Sequence, residues 1–267
     1  MDTIDRTLKY VDLYLVHNNL NNIIDCELPN GYKFVYFNKG DEKDWVEIEM
    51  SAGEFLSFEE GMEAFNYYYK NHYEELKKLC IFIENENGQK IATATASYLD
   101  VPENDITGNV HWVSVRKEYQ GKHLSKPLIS ETLKQLRRLG HKKTLLHTQT
   151  HTWLAVKVYM DMGFEPYKME ENYLGWQIIK KLTNHKKLKD IDDLEEKNMY
   201  NPLYIQAYEF LKEKFKEPFI YKVWDDKINI IGINDGKSVH KYTYEFNNNK
   251  LKIIENKNKF VQEKSRN

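Results

Sequence analysis

The stretch that decides the fold runs from residue 111 to residue 140 and reads HWVSVRKEYQGKHLSKPLISETLKQLRRLG. Residues 110–115 are apolar enough to predict a buried strand. A short loop, residues 116–121, leads directly into a predicted amphipathic helix over residues 124–139, whose leucines and isoleucine share one face. Gly140 suits the C-terminal cap of that helix. The pattern predicts a mixed sheet flanked by helices.

A strand that turns in this way into a helix can bind an anion. The first backbone N–H groups of a helix have no partner within it, and the positive end of the helix dipole points to the same place. Gly121 relieves crowding in the loop, and Lys122 and Lys126 add positive charge. These features suit a pyrophosphate. An ordinary turn with surface lysines is the alternative, and for the loop alone it is the better interpretation.

A second segment, residues 155–164, makes the first more informative. It reads AVKVYMDMGF and predicts a helix that carries Tyr159 four residues before a Gly-Phe break. Together the two segments resemble the GNAT superfamily of N-acetyltransferases, whose signatures are Gln/Arg-x-x-Gly-x-Gly/Ala and Ala-x-x-x-Tyr-x-x-x-Gly-Phe. The resemblance covers about residues 10–180 and includes shorter strings: Gly40-Asp41-Glu42, Gly53-Glu54-Phe55, Thr93-Ala94-Thr95-Ala96, His111-Trp112-Val113 and Thr148-Gln149-Thr150.

The first signature departs from the family pattern at two positions. His123 stands where the second glycine is usual, and Ser125 stands where Gly or Ala is usual. Serine is small, whereas the imidazole of His123 must point outward if the backbone is to approach a pyrophosphate. A catalytically degenerate acyl-CoA-binding sensor or scaffold is therefore the alternative to an enzyme.

The resemblance implies acetyl-CoA as co-substrate, without a metal, and assigns roles by position. The main chain of the strand would hold the pantetheine arm, and the loop amides would hold the pyrophosphate. The cofactor-binding residues implied are Val113, Ser114, Val115, Gln120, Gly121, Lys122, His123, Leu124 and Ser125.

Three side chains are candidates for proton transfer in such a reaction. Tyr159 would be the general acid that protonates the leaving thiolate. His111 is the first candidate for the base, because histidine titrates near neutrality, and Glu49 acting through water is its rival. Without the resemblance, core packing is the better interpretation of Tyr159. For His111, a structural strand histidine is at least as good an interpretation as the base.

The implied fold class is α+β, with a mixed, mostly antiparallel sheet that holds the cofactor where two central strands splay. We expect residues 1–31 to be an N-terminal segment packed on a GNAT domain at 32–182, followed by a linker at 183–200. Residues 201–267 predict a small helix plus β-meander unit. We also predict one helix over residues 58–79, a strand over 90–99 and a final strand over 173–179.

Composition narrows the partners. The formal net charge is only -2, although 30% of the 267 residues are charged, so no global field favours nucleic acid or an anionic membrane. The N-terminal stretch lacks an apolar signal core, and the two cysteines have no metal-type spacing, so we expect a cytoplasmic protein.

His141, His147 and His151 are interpreted as structural residues rather than metal ligands. The acidic run over residues 41–63 would attract a cationic amine, either a small molecule or a peptide. A homodimer or a protein partner through the C-terminal unit is possible.

Overall fold

The computed structural model describes residues 4–98, 107–226 and 228–254. The chain divides into two compact units, Met1–Tyr200 and Asn201–Asn267. The first unit contains a seven-stranded sheet, and the second contains a separate four-stranded sheet. The predicted α+β fold class is confirmed.

The described part of the first unit contains seven strands and six α-helices. Its strands are β1 (Asp12–His17), β2 (Tyr32–Tyr36), β3 (Cys80–Asn85), β4 (Lys90–Ser97), β5 (Thr107–Val115), β6 (Lys143–Gln149) and β7 (Glu165–Tyr167). Its helices are α1 (Glu42–Ala52), α2 (Phe58–Tyr69), α3 (Tyr73–Leu79), α4 (Ser125–Arg138), α5 (Trp153–Asp161) and α6 (Tyr173–Thr183). Residue 99, the last of the strand predicted from Lys90, lies outside the described residues.

The sheet has the order β2-β3-β4-β5-β6-β1-β7, and among the described residues β5 with β6 is its one parallel pair. This pairing involves only residues 107–109 of β5 and 143–145 of β6. Strand β5 continues to Val115 alongside β4, while β6 continues to Gln149 alongside β1. The two central strands therefore separate after their first three pairs and leave a V-shaped opening between their C-terminal halves.

Helices cover the two faces of the sheet differently. Helices α4, α5 and α6 share a core with Leu13, Leu15 and Leu146. Helices α1 and α2 form an aromatic core on the other face with Phe82 and Trp112. The opening between β5 and β6 thus lies between helix α1 on one face and helix α5 on the other.

The strand predicted over residues 173–179 is wrong, because this segment is the N-terminal part of helix α6. Its tyrosine, tryptophan and isoleucines favour strands by composition. In the helix, Trp176 and Ile179 lie three residues apart and enter the same core. Gly175 lets the helix lie directly on the sheet, since a Cβ there would come within 2.8 Å of Leu13 and Val11.

The single helix predicted over residues 58–79 is also wrong, because the chain breaks between Tyr69 and Tyr73 into α2 and α3. The start of α2 is as expected: the Ser57 side chain accepts a hydrogen bond from the Glu60 amide at 3.2 Å. The Glu60 carboxylate accepts from the Leu56 amide at 2.7 Å, one residue before the usual partner in a capping box.

Both ends of the first unit contribute to its core. Strand β1 lies inside the sheet, between β6 and β7. At the other end, Leu188 and Ile191 belong to the core around α4, α5 and α6, and Met199 packs with Leu8 and Ile178. Residues 183–200 therefore bury side chains within the first unit despite their polar composition.

The second unit is the helix and meander that the turn residues predict. Asn201 caps helix α7 (Pro202–Lys214) by accepting a hydrogen bond from the Leu203 amide at 3.0 Å. Four antiparallel strands follow in the order β11-β10-β9-β8, and α7 packs on their apolar side. They are β8 (Ile220–Trp224), β9 (Ile230–Asn234), β10 (Val239–Asn247) and β11 (Lys250–Ile254). Among the described residues of both units, no helix is long and apolar enough to span a membrane.

Candidate active site

The turn from β5 into α4 presents a row of unused backbone donors. Leu124 is the N-cap of α4 and gives no side-chain cap. Among the described residues, none accepts a hydrogen bond from the backbone amides of residues 121–126. These amides and the positive end of the 14-residue helix α4 therefore remain available to an anion.

The loop before this helix is held by its own chain. The side-chain amide of Gln120 donates to the Val115 carbonyl at 3.1 Å and ties the end of β5 to the loop. Gly121 has a φ of 77° and His123 a φ of 61°, so both backbones are left-handed. His123 is exposed. Its backbone thus adopts the conformation for which the family motif uses glycine, with the imidazole accessible to solvent.

Near this loop, the side chains and the main chain of strand β5 have different surroundings. Val113 packs with the core under α4, and Val115 contacts the same cluster as Leu124. The pairing of β4 with β5 is irregular between Thr93 and Thr95, so residues 111–114 depart from a regular ladder. A β-bulge leaves a residue outside the regular pairing, and this one lies on the strand that borders the opening between β5 and β6.

Tyr159 lies in the C-terminal part of α5 and packs against Phe164, with ring centroids 5.9 Å apart. Its side chain is only 6% exposed. The part of the chain that the structure describes offers its hydroxyl no hydrogen-bond partner. Burial raises the pKa of Tyr159, and the nearby carboxyls of Glu49 and Glu54 raise it further. The phenol therefore stays protonated over the physiological pH range and faces two acidic residues.

Glu49 is a fully buried carboxyl on α1. The Ser114 hydroxyl donates to its Oε2 at 2.6 Å, while its Oε1 has no hydrogen-bond partner among the described residues. Burial holds the pKa of Glu49 well above its ordinary value; the Ser114 hydrogen bond opposes this and Glu54 adds to it. A raised pKa makes the carboxylate a stronger base.

His111 lies on β5 but faces the aromatic core of α1 and α2. Its Nδ1 is 3.4 Å from the Tyr69 hydroxyl, and its ring meets that of Tyr68 edge-on at 5.1 Å. The charge of Glu49 thus acts on Tyr159, whereas the ring of His111 contacts the aromatic side chains of α2 and β5.

Most of the acidic run over residues 41–63 has structural partners. Asp41 and Asp44 pair with Lys90, and Glu47 pairs with Arg116. Glu42 and Glu60 accept hydrogen bonds from backbone amides, and Glu59 and Glu63 are exposed. Glu49 and Glu54 are the two members of this run that raise the pKa of Tyr159.

The three histidines read as structural have separate partners. His147 Nε2 lies 2.9 Å from Asp12, and His151 Nε2 lies 3.0 Å from the Leu8 carbonyl. The ring of His141 packs against Tyr98 at 5.6 Å. Within residues 4–98, 107–226 and 228–254, no group of three or more His, Cys, Asp or Glu side chains is arranged to hold a metal.

Sequence reasoning missed the contact between the Ser114 side chain and Glu49. The alternation of β5 could have indicated it, because Ser114 lies between two valines that face the α4 side. It also missed the ion pair of Lys126 with Asp161 at 3.4 Å, which joins the start of α4 to the end of α5. No sequence pattern announces a contact between two separate helices.

One family profile and several solved structures are similar to this chain. The sequence profile of the acetyltransferase (GNAT) family matches residues 43–164. A search of curated protein sequences gave no match. The GCN5-related N-acetyltransferase of Sphaerobacter thermophilus is 18% identical with a TM-score of 0.48, over 60% of this chain and 49% of its own. A GNAT-family acetyltransferase of Colwellia psychrerythraea is 16% identical with a TM-score of 0.47, over 60% and 54%. The chain thus spans about half the length of these two structures. Residues 43–164, which include both sequence motifs, are a domain of the acetyltransferase (GNAT) family.

Proposed function

We propose that this protein transfers an acetyl group from acetyl-CoA to a primary amine by direct attack of the amine on the thioester. The observation that carries the proposal is the row of unpartnered amides at residues 121–126, directly beside the opening between β5 and β6. GNAT proteins in general transfer acyl groups from acyl-CoA. Both motifs of that family occur in the matched domain.

The co-substrate fits this turn by its chemistry. The pyrophosphate would accept hydrogen bonds from the amides between Gln120 and Ser125, with Lys122 adding positive charge. The pantetheine arm would lie in the opening along the main chain of Val113, Ser114 and Val115. That position brings the thioester between helix α1 and helix α5, where Glu49 and Tyr159 lie.

The reaction needs two proton transfers and no covalent enzyme intermediate. The neutral amine nitrogen forms a bond to the carbonyl carbon, and the bond from that carbon to sulfur breaks. Tyr159 would give its phenolic proton to the departing thiolate, and Glu49 would take the proton that the amine loses, directly or through water. The phenol regains its proton from solvent after the products leave.

We favour Glu49 over His111 as the base. The carboxyls of Glu49 and Glu54 both act electrostatically on Tyr159, so they share its surroundings. His111 instead contacts Tyr68, Tyr69 and Trp112. Glu54, which is only partly buried, would attract a cationic amine, whether a small molecule or the side chain of a peptide.

A cytoplasmic location suits this chemistry. Cys26 and Cys80 are both free thiols, which fits a reducing compartment. We assign no nucleic acid or membrane partner, and we leave the C-terminal unit as a candidate surface for a second copy or a protein partner.

Thermal denaturation with acetyl-CoA tests the cofactor site. A ligand that binds only the native state stabilises it by roughly 2.7 kcal/mol at 100 times its dissociation constant. Gly121→Glu places a carboxylate beside the phosphates and should abolish this shift. Gly88→Glu is the matched control, because Gly88 has a φ of 78° against 77° for Gly121 and both positions open into free space. Loss of the shift in both variants, or no shift in the unmodified protein, would reject the site.

A panel of primary amines then separates an enzyme from an acyl-CoA sensor. Release of free CoA thiol that depends on the amine supports transfer. Binding of acetyl-CoA without amine-dependent thiol release across small polyamines, amino sugars, amino acids and lysine peptides would support the sensor instead.

A further inference from the structure

The hydroxyl of Ser114 connects the strand proposed to hold the co-substrate with the carboxyl proposed as the base. Its Oγ donates to Glu49 Oε2 at 2.6 Å, and the side chain is 7% exposed. Hydrogen bonds to a carboxylate are among the stronger ones in proteins, and burial removes the competition of water. The contact joins residues 65 positions apart.

The geometry of β5 explains how one residue can serve both purposes. Successive side chains of a strand point to opposite faces, so the neighbours Val113 and Val115 pack toward α4 while Ser114 reaches α1. The main chain of the same three residues borders the opening between β5 and β6. A change in the Ser114 side chain therefore leaves the main-chain contacts of the strand in place.

Glu49 depends on this one contact for its orientation. Ser114 is the single hydrogen-bond donor to its carboxyl among the described residues, and Oε1 has no partner. The Glu54 amide donates to the Glu49 carbonyl at 2.9 Å, but this bond fixes the backbone rather than the carboxyl. Without Ser114 the buried carboxyl would have no donor to hold it.

We propose that Ser114 is a positioning residue, whose hydroxyl orients the Glu49 carboxyl toward the acceptor amine while its main chain lines the acyl-CoA site. The catalytic part of this inference rests on the proposed function. The hydrogen bond itself does not, so the two can fail separately.

The groups around Glu49 allow its titration to be followed. Glu49 interacts electrostatically with Tyr69 of α2, Cys80 of β3 and Tyr159 of α5, besides Glu54. Burial raises the pKa of Cys80 to about 12, and it raises those of Tyr69 and Tyr159 as well, so none of the three ionises near neutral pH. His111, which lies 3.4 Å from the Tyr69 hydroxyl, is a further ionisable group of this region. A signal assigned to Glu49 itself is therefore needed.

The experiment is a titration of the full-length protein by NMR with ¹³C-labelled glutamate carboxyls. The Glu49 signal is identified by its loss in Glu49→Gln. Ser114→Ala should move the titration midpoint of Glu49 upward by about one pH unit or more, the equivalent of losing a hydrogen bond to a charged group. Ser114→Thr keeps a hydroxyl and should leave the midpoint close to that of the unmodified protein. Ser130→Ala removes a buried hydroxyl from α4 and controls for packing.

The second readout is the pH dependence of acetyl transfer to the best amine of the panel. In Ser114→Ala the rise of kcat with pH should shift upward with the Glu49 midpoint, while the dissociation constant of acetyl-CoA stays unchanged. An unchanged NMR midpoint would overturn the inference. A shifted midpoint with an unmoved rate profile would show that the hydrogen bond does not serve catalysis and would also overturn it. Absence of acetyl-CoA binding in the unmodified protein would instead reject the proposed function.

Discussion

Gly121 and His123, two residues apart in the loop before α4, have nearly the same left-handed backbone, with φ values of 77° and 61°. Glycine adopts this conformation freely, whereas a residue with a Cβ does so at a cost. The exposed imidazole of His123 therefore belongs to a residue whose backbone has the conformation that glycine favours. This relationship explains how the loop keeps its amides together despite the departure from the family motif.

His123→Gly should keep the loop geometry and relieve backbone strain. We expect the melting temperature to stay or rise, with a gain of about 0.5–1 kcal/mol at most, and acetyl-CoA binding to be retained or tightened. His123→Ala is the control, because it removes the imidazole without relieving the strain. Calorimetric titration with acetyl-CoA checks both variants. Weaker binding in both would show that the imidazole itself contacts the co-substrate.

Tyr159→Phe should lower turnover without affecting binding. The ring and its packing on Phe164 remain, and the hydroxyl has no hydrogen-bond partner in the described part of the chain, so the melting temperature should change little. Positioned proton transfer contributes roughly 10²–10⁴-fold, and we expect the lower end because thiolate is a good leaving group. Initial rates at saturating acetyl-CoA measure the effect. If the Phe variant turns over as fast as the unmodified protein, solvent rather than Tyr159 protonates the thiolate.

The free energy of unfolding of Glu49→Gln, compared with that of the unmodified protein, should increase as the pH rises. The pKa of Glu49 is raised in the folded state, so the native state holds a proton that the unfolded chain has released. The unmodified protein therefore loses stability by up to about 1.4 kcal/mol per pH unit from the ordinary glutamate pKa up to the raised one.

Differential scanning calorimetry between roughly pH 4 and pH 9 checks the prediction. The difference between Glu49→Gln and the unmodified protein should grow with pH and then level off. Glu59→Gln, which changes an exposed carboxyl on α2, should show no such trend. A constant difference for Glu49→Gln would mean that Glu49 titrates normally.

Two truncated chains, one that ends at Leu182 and one that ends at Tyr200, should differ in stability. A chain that ends at Tyr200 keeps every side chain of the first compact unit and should fold and bind acetyl-CoA. A chain that ends at Leu182 loses Leu188 and Ile191 from the main core, and Met199 from a second cluster. Large buried side chains contribute about 1.5–3 kcal/mol each, so the shorter chain should be strongly destabilised. Equal melting temperatures for the two would show that residues 183–200 act only as a linker.

The sequence by itself determined the elements that rest on local patterns. The periodicity of residues 125–138 predicts α4, the Gly-Phe pair after Tyr159 marks the end of α5, and turn residues predict the C-terminal meander. These features depend on hydrogen bonds and apolar spacing within a few residues. The turn from β5 into α4 belongs to the same class, because a strand, a short loop and a helix follow one another directly in the chain.

Tertiary structure decided those features of the fold and the site that local sequence patterns do not determine. Residues 173–179 have the composition of a strand, yet they form a helix because Trp176 and Ile179 gain burial against a sheet that already has β1 in place. The same reason applies to the site. Glu49 is one of many acidic residues in its run, and its burial against distant segments raises the pKa of its carboxyl, an effect that the Ser114 hydrogen bond partly opposes. Burial and long-range contact arise from the packing of distant segments, so no short stretch of the sequence specifies them.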